Sequence, residues 1–354
     1  MATDPREGGL GYSAGLAVKS PKCKGKNVTT LITGAGLIGC LTADLLVRSG
    51  VRVVMLDRAP HVDHIASVLP VDEVAIEVGD IRDRDRLFAL ISGHGVTHVI
   101  HTAAALSMSI RREPALAAEV NLGGTVNVLE AARTLGLQRV VCASSTTVYY
   151  PVFHRRQEHK VSEDFSFHSV SERPGSLYAA SKLAGEFFAQ HYAEHYGVDV
   201  VTLRYSAVLG LWAGPNYSVP GRLVAELLGQ GARGGHVHIR DPLLMWSGGE
   251  DFIDAREVAR ANVAALRARE LPSRVYNIAS GEMATFANFV DAARTVNPRF
   301  VIIHDEIPQA GFAGFAYPRD VAFDVGLAHR ELGFRARHDL VDSFRAALPW
   351  VDRG

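Results

Sequence analysis

From Val28 onward, short runs of β-branched residues alternate with amphipathic helical stretches, and this alternation constrains the fold more than any other feature. VTTLIT (28–33) predicts a strand, LIGCLTADLLVRS a helix, and VRVVML (51–56) a second strand. Gly50 stands where the glycine that ends a helix is expected. Repeated strand–helix–strand units build a parallel sheet with helices on both faces. We therefore expect an α/β fold with a doubly wound parallel sheet.

The same rhythm continues to about residue 280. Further strands are predicted at 74–78, 98–101, 139–143, 198–205 and 275–278, and further helices at 84–90, 116–135 and 177–196. Two regions break the rhythm, because 211–250 is rich in glycine and proline and 281–354 mixes helix and strand patterns. We expect these two regions to form a smaller lobe on a main domain of residues 28–210 and 251–280. Residues 1–27 are expected to be a disordered tail.

Composition excludes several classes of partner. The 354 residues carry a formal net charge of −1, so no basic field attracts nucleic acid or anionic lipid. No run approaches the roughly 20 apolar residues that span a bilayer. Three cysteines are too few for a disulfide framework, which favours a reducing, cytoplasmic location. His61 with His64, and His236 with His238, lack a clear third ligand, so we predict no metal site.

A glycine-rich loop follows the first predicted strand. TGAGLIG places Gly34, Gly36 and Gly39 at G-x-G-x-x-G spacing, with Leu37 and Ile38 opening the helix. Glycine lets a pyrophosphate approach the amides and positive dipole of the helix N-terminus. The alternative is a tight turn without a ligand.

A carboxylate at the end of the second strand sharpens this interpretation. Asp57 lies close to the ~20-residue spacing at which an acidic side chain accepts from the ribose hydroxyls of NAD. Because a carboxylate repels a 2′-phosphate, we expect NAD rather than NADP as the cofactor. Arg58 leaves NADP open as an alternative, since its charge could neutralise that phosphate.

Two further segments follow strands at the same edge of the sheet. Asp80 and Ile81 follow the third strand, and Thr102, Ala103 and Ala104 follow the fourth within HTAAA. Small residues there allow a cofactor to lie against the backbone. Close helix packing is the alternative for HTAAA, and we expect the neighbouring histidine, the first residue of that segment, to be structural.

The segment YAASK places Tyr178 and Lys182 four residues apart, on one face of a helix. A phenol has a pKa of about 10, too high for a base at neutral pH unless a nearby positive charge favours the phenolate. Only two of the six lysines, Lys160 and Lys182, lie beyond the first 27 residues. A coincidental lysine at this spacing is therefore improbable. An exposed helix pair is the alternative.

A cluster of hydroxyls precedes this helix in RVVCASSTTVYY. Ser144, Ser145, Thr146 and Thr147 stand at the predicted end of a strand, where a hydroxyl can hold the oxygen of a reacting alcohol. Position alone does not choose among them.

Taken together, these segments resemble the extended short-chain dehydrogenases/reductases, the NAD-dependent epimerase/dehydratase group. The matching segments are TGAGLIG, VGDIRD, HTAAA, NLGGTVNVLEAAR, SSTTVY, YAASK, LRYSAVLG, DFIDAREVARA, YNIASGE and AHRELGF. The resemblance implies a Rossmann NAD-binding domain and a discontinuous substrate lobe. It implies Ser145 as the catalytic hydroxyl, Tyr178 as the base, Lys182 as the ribose-binding lysine and Asn121 as the helix asparagine near the active site. It also implies a homodimer through the helices at 116–135 and 177–196.

Departures from the family pattern bear on the substrate. Members that act on nucleotide sugars usually carry L-R-x-x-N, where this chain has Ala207, and an arginine that clamps the diphosphate, where this chain reads SGGEDF. Thr146 and Thr147 replace the Asp–Glu pair of sugar dehydratases. AAALSMSIRREP and YPRDVAFDVGLAHRELGF are more similar to the L-threonine 3-dehydrogenase branch.

These features favour an NAD-dependent dehydrogenase that oxidises a secondary alcohol of a small polyhydroxylated or hydroxy-acid substrate. An NAD-dependent sugar or nucleotide-sugar epimerase is the alternative, and a non-catalytic NAD-binding protein is a third hypothesis. Candidates for the rim of the substrate cleft are Tyr150, Trp212, Asn216 and Tyr217.

Overall fold

The computed structural model describes residues 28–153, 159–168, 170–215, 218–231, 236–299 and 301–351. The tail expected at 1–27 and the two rim candidates Asn216 and Tyr217 lie outside this range. In the part of the chain that is described, every helix is too short or too polar to cross a membrane.

Seven parallel strands form the central sheet, in the order β10-β6-β5-β4-β1-β2-β3. This order confirms the expected doubly wound α/β fold, since the chain builds outward in both directions from β1 and β4. The strands are β1 (Thr29–Thr33), β2 (Arg52–Asp57), β3 (Val74–Val78), β4 (His98–His101), β5 (Arg139–Ser145), β6 (Val200–Tyr205) and β10 (Val275–Ile278).

The helices that flank this sheet cover both of its faces. They are α1 (Leu37–Arg48), α2 (Val62–Ala66), α3 (Arg84–His94), α4 (Ser107–Arg112), α5 (Gly124–Leu135), α6 (Leu177–Tyr196), α8 (Ala255–Arg267) and α10 (Gly326–Leu332). Side chains of β1 and β6 are buried throughout, as expected where helices cover both faces of a parallel sheet. The carboxyl ends of β1, β2, β4 and β5 therefore meet at one edge, which is where a ligand binds in such a sheet.

The helix predicted at 116–135 is not regular. Residues Ala117–Gly123 form a π-helical stretch and only Gly124–Leu135 are α-helical. The wider turn lets the buried Asn121 amide bond to both backbone groups of Ala105, with Ala105 N to Oδ1 at 2.7 Å and Nδ2 to Ala105 O at 3.1 Å. A periodicity of 3.6 residues does not reveal such an insertion.

A second hydrophobic core lies among residues of the C-terminal half. Its elements are β7 (Ala207–Leu209), α7 (Val219–Gly231), β8 (His236–Ile239), β9 (Glu250–Asp254), β11 (Met283–Ala284), α9 (Phe286–Val296), β12 (Val301–His304) and α11 (Leu340–Val351). The strands pair as a three-stranded sheet, β11-β9-β7, and a two-stranded parallel sheet of β12 and β8. The division of the chain into two domains stays a prediction.

Aromatic rings fill this second core. Phe289 is fully buried, with its ring centroid 5.3 Å from that of Trp246, 4.5 Å from that of Phe252 and 5.6 Å from that of Phe344. The ring edges and faces interlock, so a smaller side chain would leave a cavity that the neighbours cannot close.

We expect Phe289→Ala to lower the free energy of unfolding by about 3–5 kcal/mol, because it removes transfer free energy and leaves a cavity. Urea unfolding followed by circular dichroism measures this change. Val78→Ala is the control, since Val78 is 63% exposed and should change stability little. Equal effects of the two substitutions would contradict this account of the core.

Candidate active site

The glycine loop between β1 and α1 has the geometry of a phosphate cradle. Gly34 adopts a φ of +91°, and a Cβ on it would lie 2.9 Å from the backbone nitrogen of Ala103. A Cβ on Gly39 would lie 2.0 Å from the carbonyl oxygen of Gly34, so this glycine is needed for packing. A Cβ on Gly36 would meet nothing within 4 Å, which leaves open space directly in front of the loop.

Helix α1 begins at this open space without a protein partner for its dipole. Gly36 occupies the N-cap, no side chain caps the helix, and its first turn holds no acidic residue. The amides of Leu37 and Ile38 therefore open the helix as a free positive end, which suits an anion.

Asp57 ends β2 beside the loop. Its Oδ2 accepts from Ala35 N at 2.8 Å and its Oδ1 from Ala59 N at 2.9 Å, so the carboxylate is fixed while lone pairs remain for the hydroxyls of a ribose. Arg58 is exposed, and its charge helps to lower the pKa of Asp80. Because the charge of Arg58 already interacts with the Asp80 carboxylate, the field here suits a ribose better than a phosphate.

Asp80 and Ile81 follow β3 as expected but serve different purposes. The Arg82 guanidinium donates to Asp80, with Nη2 to Oδ2 at 2.8 Å, and this hydrogen bond is the main reason why the pKa of Asp80 is lowered. Ile81 is buried, and its side chain lies so close to Gly124 that a Cβ there would be 2.7 Å away. Ile81 thus sets how closely α5 approaches this edge.

The segment after β4 lies against the glycine loop. Thr102 donates from its backbone nitrogen and its hydroxyl to the carbonyl oxygen of Thr33, at 3.0 and 2.8 Å. His101 is buried, with Nδ1 2.7 Å from the Thr33 hydroxyl, and burial lowers its pKa to about 3. The imidazole is therefore neutral and hydrogen-bonded within the protein, as we expect of a structural histidine. Ala103 and Ala104 follow with small side chains that keep this edge open.

Tyr178, Ser145 and Lys182 come together at the carboxyl end of β5. Ser176 caps α6 by accepting from Ala179 N at 3.1 Å, which fixes the helix start one residue before Tyr178. The Ser145 hydroxyl interacts with the Tyr178 phenol and lowers its pKa, and Lys182 Nζ lies 5.8 Å from the centroid of the tyrosine ring. Lys182 donates to Ala143 O at 2.8 Å. Of the four hydroxyls in the predicted cluster, Ser145 is therefore the one that meets the tyrosine.

Burial acts against both ionised groups of this cluster. It raises the pKa of Tyr178 to about 12, and the hydrogen bond from Ser145 offsets only part of that increase. Burial also lowers the pKa of Lys182 to about 8, while Cys142 and Glu186 oppose the shift. Lys182 stays mostly protonated at neutral pH, but the phenol needs further positive charge to become a base.

Asn121 lies beside the group formed by Tyr178, Ser145 and Lys182 but is not part of it. Besides its two bonds to Ala105, its Nδ2 donates to the Ser181 hydroxyl at 3.1 Å. The amide therefore ties the loop after β4 to α6, which gives it a positioning role in this arrangement.

Buried charges around the site were missed by the sequence analysis. Glu186 lies one turn after Lys182 and forms an ion pair with Arg204 of β6, with Nη2 to Oε2 at 2.6 Å. Ser144 donates to the same carboxylate at 2.5 Å. Two signals pointed to this pair: Glu186 continues the Tyr178–Lys182 face of the helix, and Arg204 is the single charge in VVTLRY.

The rim candidates have aromatic neighbours. Tyr150 stacks on Phe315, with centroids 3.6 Å apart and planes 17° apart, and the Arg319 guanidinium lies 5.4 Å from the centroid of its ring. Trp212 meets His64 edge-on at 5.7 Å. Arg319 is buried and forms an ion pair with the buried Glu250.

The loop glycines allow folding and cofactor binding to be separated. We expect Gly39→Ala to lower stability by about 1–3 kcal/mol, because its Cβ overlaps the backbone of Gly34. Gly36→Ala should leave unfolding of the free protein unchanged and weaken NAD binding by about tenfold or more, since its Cβ enters only open space. Urea unfolding and calorimetric titration with NAD measure the two quantities. Unchanged NAD affinity in Gly36→Ala would contradict the assignment of the cradle.

Comparison with known proteins gives one consistent family. Residues 30–279 match the NAD dependent epimerase/dehydratase family. A putative UDP-glucose 4-epimerase from Methanocaldococcus jannaschii is 28% identical, with 91% of this chain and 97% of that protein covered.

Solved structures of the same fold include enzymes of two kinds. A UDP-glucose 4-epimerase from Stenotrophomonas maltophila with bound NAD and formylated UDP-arabinopyranose has a TM-score of 0.76 and 26% identity, covering 92% of this chain and 98% of that one. A GalE-like L-threonine dehydrogenase from Cupriavidus necator in its holo form has a TM-score of 0.74 and 26% identity, covering 90% and 99%.

The family match and the geometry of the first strand–helix–strand unit agree on the cofactor, which is NAD. The open glycine cradle, the uncapped start of α1 and the fixed carboxylate of Asp57 fit a dinucleotide with free ribose hydroxyls. The chain therefore belongs to the NAD dependent epimerase/dehydratase family of extended short-chain dehydrogenases/reductases, and it is an NAD-dependent oxidoreductase.

Proposed function

We propose that the protein is a dehydrogenase that oxidises a secondary alcohol of a small polyhydroxylated or hydroxy-acid substrate, with Tyr178 as the base. The observation that carries this choice is the buried ion pair of Glu250 and Arg319 behind Tyr150. Glu250 stands in SGGEDF, the segment in which the resemblance implies a clamping arginine in nucleotide-sugar enzymes. A diphosphate needs unpaired cations, whereas the buried guanidinium of Arg319 is already paired with Glu250.

The pair is charged at mildly alkaline pH. Burial raises the pKa of Glu250 to about 7, although Arg319 lowers it. Above that pH the carboxylate is ionised and the pair contributes no net charge to its surroundings. A small substrate that binds through hydroxyl and amide groups is compatible with this neutral pair of Glu250 and Arg319.

Each residue of the cluster has a distinct role in the proposed reaction. Ser145 donates to the oxygen of the alcohol and orients it toward Tyr178. The Tyr178 phenolate removes the hydroxyl proton, and the Lys182 ammonium stabilises that phenolate and binds ribose hydroxyls. When bound, NAD supplies the hydride acceptor and a positive charge beside the phenol.

An NAD-dependent epimerase is the second candidate, supported by the UDP-sugar epimerases among the relatives. The two differ in net chemistry, because a dehydrogenase releases NADH and ketone, whereas an epimerase re-reduces the ketone and leaves NAD unchanged.

We further propose a homodimer in the cytoplasm. Leu177, Phe187, Phe188 and Tyr196 leave large apolar surfaces exposed along α6, the helix expected to pair with its copy. Cys40 and Cys142 are free and buried, and burial raises the pKa of each thiol to about 12, which keeps them unreactive.

The reaction class is tested by incubating the enzyme with NAD and a panel of sugars, aldonates, amino alcohols and UDP-sugars. We expect one member of the small-molecule set to yield stoichiometric NADH, and Tyr178→Phe to reduce the rate by about 10²–10⁴-fold. Tyr192→Phe is the control, because Tyr192 lies on the same helix but donates to Glu130 at 2.7 Å. Turnover of a UDP-sugar without net NADH would overturn the dehydrogenase in favour of the epimerase.

The pH dependence tests the role of Ser145. Its hydrogen bond lowers the pKa of Tyr178, so Ser145→Ala should move the rise of kcat/KM with pH toward higher pH, besides lowering its plateau. Ser145→Thr retains the hydroxyl and should restore the position of the rise. If the rise stayed at the wild-type pH in Ser145→Ala, Ser145 would not set the ionisation of the base.

A further inference from the structure

A chain of hydrogen bonds between buried side chains crosses the core from the central sheet to α1. Tyr205, the last residue of β6, donates its hydroxyl to Asn262 Oδ1 of α8 at 2.5 Å. Asn262 Nδ2 donates to the Thr42 hydroxyl oxygen of α1 at 3.1 Å. The Thr42 hydroxyl in turn donates to the carbonyl oxygen of Ile38 at 2.7 Å. Each donor therefore points the same way, from the end of β6 to the first turn of α1.

This chain of polar groups runs through an apolar core. Thr42 and Asn262 are fully buried, and Tyr205 is 6% exposed. Tyr205 belongs to the hydrophobic cluster that also includes Val258 of α8 and Ile278 of β10. A buried polar group is costly unless it is hydrogen-bonded, so the chain is favourable only in the arrangement that satisfies all of its members. It therefore specifies one relative placement of α1, α8 and β6.

The two ends of the chain lie at two different parts of the candidate active site. Ile38 is in the first turn of α1, whose start forms the cradle. Tyr205 is the register partner of Ser145 at the carboxyl end of β5. Burial raises the pKa of Tyr205, and the nearby Tyr178 phenol adds to that increase. A dinucleotide that lies across the carboxyl ends of a parallel sheet spans the distance between these two parts.

We propose that Asn262 is a positioning residue for NAD. Its amide bonds to Tyr205 and Thr42 rather than to the cradle or to Tyr178, and it fixes the first turn of α1 relative to the end of β6. The pyrophosphate and the nicotinamide belong to one molecule, so both are held at once only at one separation of these two elements. A neutral hydrogen bond contributes a factor of about 2–10 to an equilibrium, and its loss should weaken NAD binding by a factor in that range.

Calorimetric titration of the complete protein with NAD and with ADP-ribose tests this role, because ADP-ribose carries the adenosine and the pyrophosphate but lacks the nicotinamide. Tyr205→Phe removes only the hydroxyl at one end of the chain, and Asn262→Leu removes its centre. We expect both variants to bind NAD about 2–10-fold more weakly and to bind ADP-ribose as the wild type does. Unchanged NAD affinity would overturn the proposal. Equal weakening of both ligands would also overturn it, since that result indicates a purely structural role.

Tyr276→Phe is the matched control. Tyr276 lies in the same hydrophobic cluster, on the neighbouring strand β10, but its hydroxyl donates to Glu331 at 2.6 Å. This substitution removes a tyrosine hydrogen bond without interrupting the chain, so the affinity for NAD should stay at the wild-type value. A loss of NAD affinity equal to that of Tyr205→Phe would overturn the proposal.

A double substitution tests whether the chain acts as a unit. Thr42→Val combined with Tyr205→Phe should weaken NAD binding no more than either substitution alone, because members of one hydrogen-bond network are not additive. Additive losses would overturn the proposal. The titrations need no alcohol substrate, so their outcome is independent of the proposed dehydrogenase reaction.

Discussion

The ion pair between Glu186 and Arg204 is the interaction on which the geometry of the active site depends. Glu186 is 2% exposed and Arg204 4%, and their closest atoms are 2.6 Å apart. Burying two charges costs several kcal/mol for each ion unless further hydrogen bonds compensate. Such hydrogen bonds are present on both sides of the pair. Ser144 donates to Glu186, and Arg204 donates to Tyr149 at 2.6 Å and to the carbonyl oxygen of Glu163 at 2.7 Å. Strands β5 and β6 and helix α6 are therefore joined at one point.

The consequence for catalysis follows from chain order. Ser144 is bonded to Glu186, so the next residue, Ser145, is held at the end of β5. Glu186 lies two turns after Tyr178 on α6, so the same carboxylate fixes the rotation of the helix that carries the phenol. The contact between Ser145 and Tyr178 thus depends on a pair that touches neither of them. Breaking such a pair by removing one partner costs about 3–5 kcal/mol, far more than a surface ion pair contributes.

A second buried pair fixes the same segment from the other side. The 3₁₀ segment Thr146–Val152 carries two consecutive tyrosines, of which Tyr149 meets Arg204 and Tyr150 meets Arg319. Arg319 also lies over the ring of Phe153, 4.2 Å from its centroid, and pairs with Glu250. The segment after Ser145 is therefore held between one ion pair of the central sheet and one of the C-terminal region. This arrangement explains why the edge of the cleft is built from paired charges and aromatic rings.

Local patterns in the sequence predicted most of the central sheet and the residues that meet there. The glycine loop, Asp57 and the YAASK segment act through neighbours in sequence or through strand ends, which a parallel sheet brings to one edge. The ion pair of Glu250 and Arg319 could not be predicted this way, because the two residues are 69 positions apart and neither periodicity nor turn chemistry records the contact. The π-helical stretch at Ala117–Gly123 was not predicted for a related reason. The Asn121 amide that it positions is hydrogen-bonded to a loop residue 16 positions away in the sequence.

The fold alone does not decide which alcohol is oxidised, since relatives of similar identity include both UDP-sugar epimerases and an L-threonine dehydrogenase. The distinguishing constraint is the free energy required to release a cation. A diphosphate could recruit Arg319 only by separating it from Glu250, and above pH 7 that would leave a buried carboxylate unpaired. A penalty of about 3–5 kcal/mol corresponds to a loss of about 10²–10⁴-fold in affinity. A substrate without phosphate avoids this penalty, and this difference is the reason why we propose a small substrate rather than a nucleotide sugar.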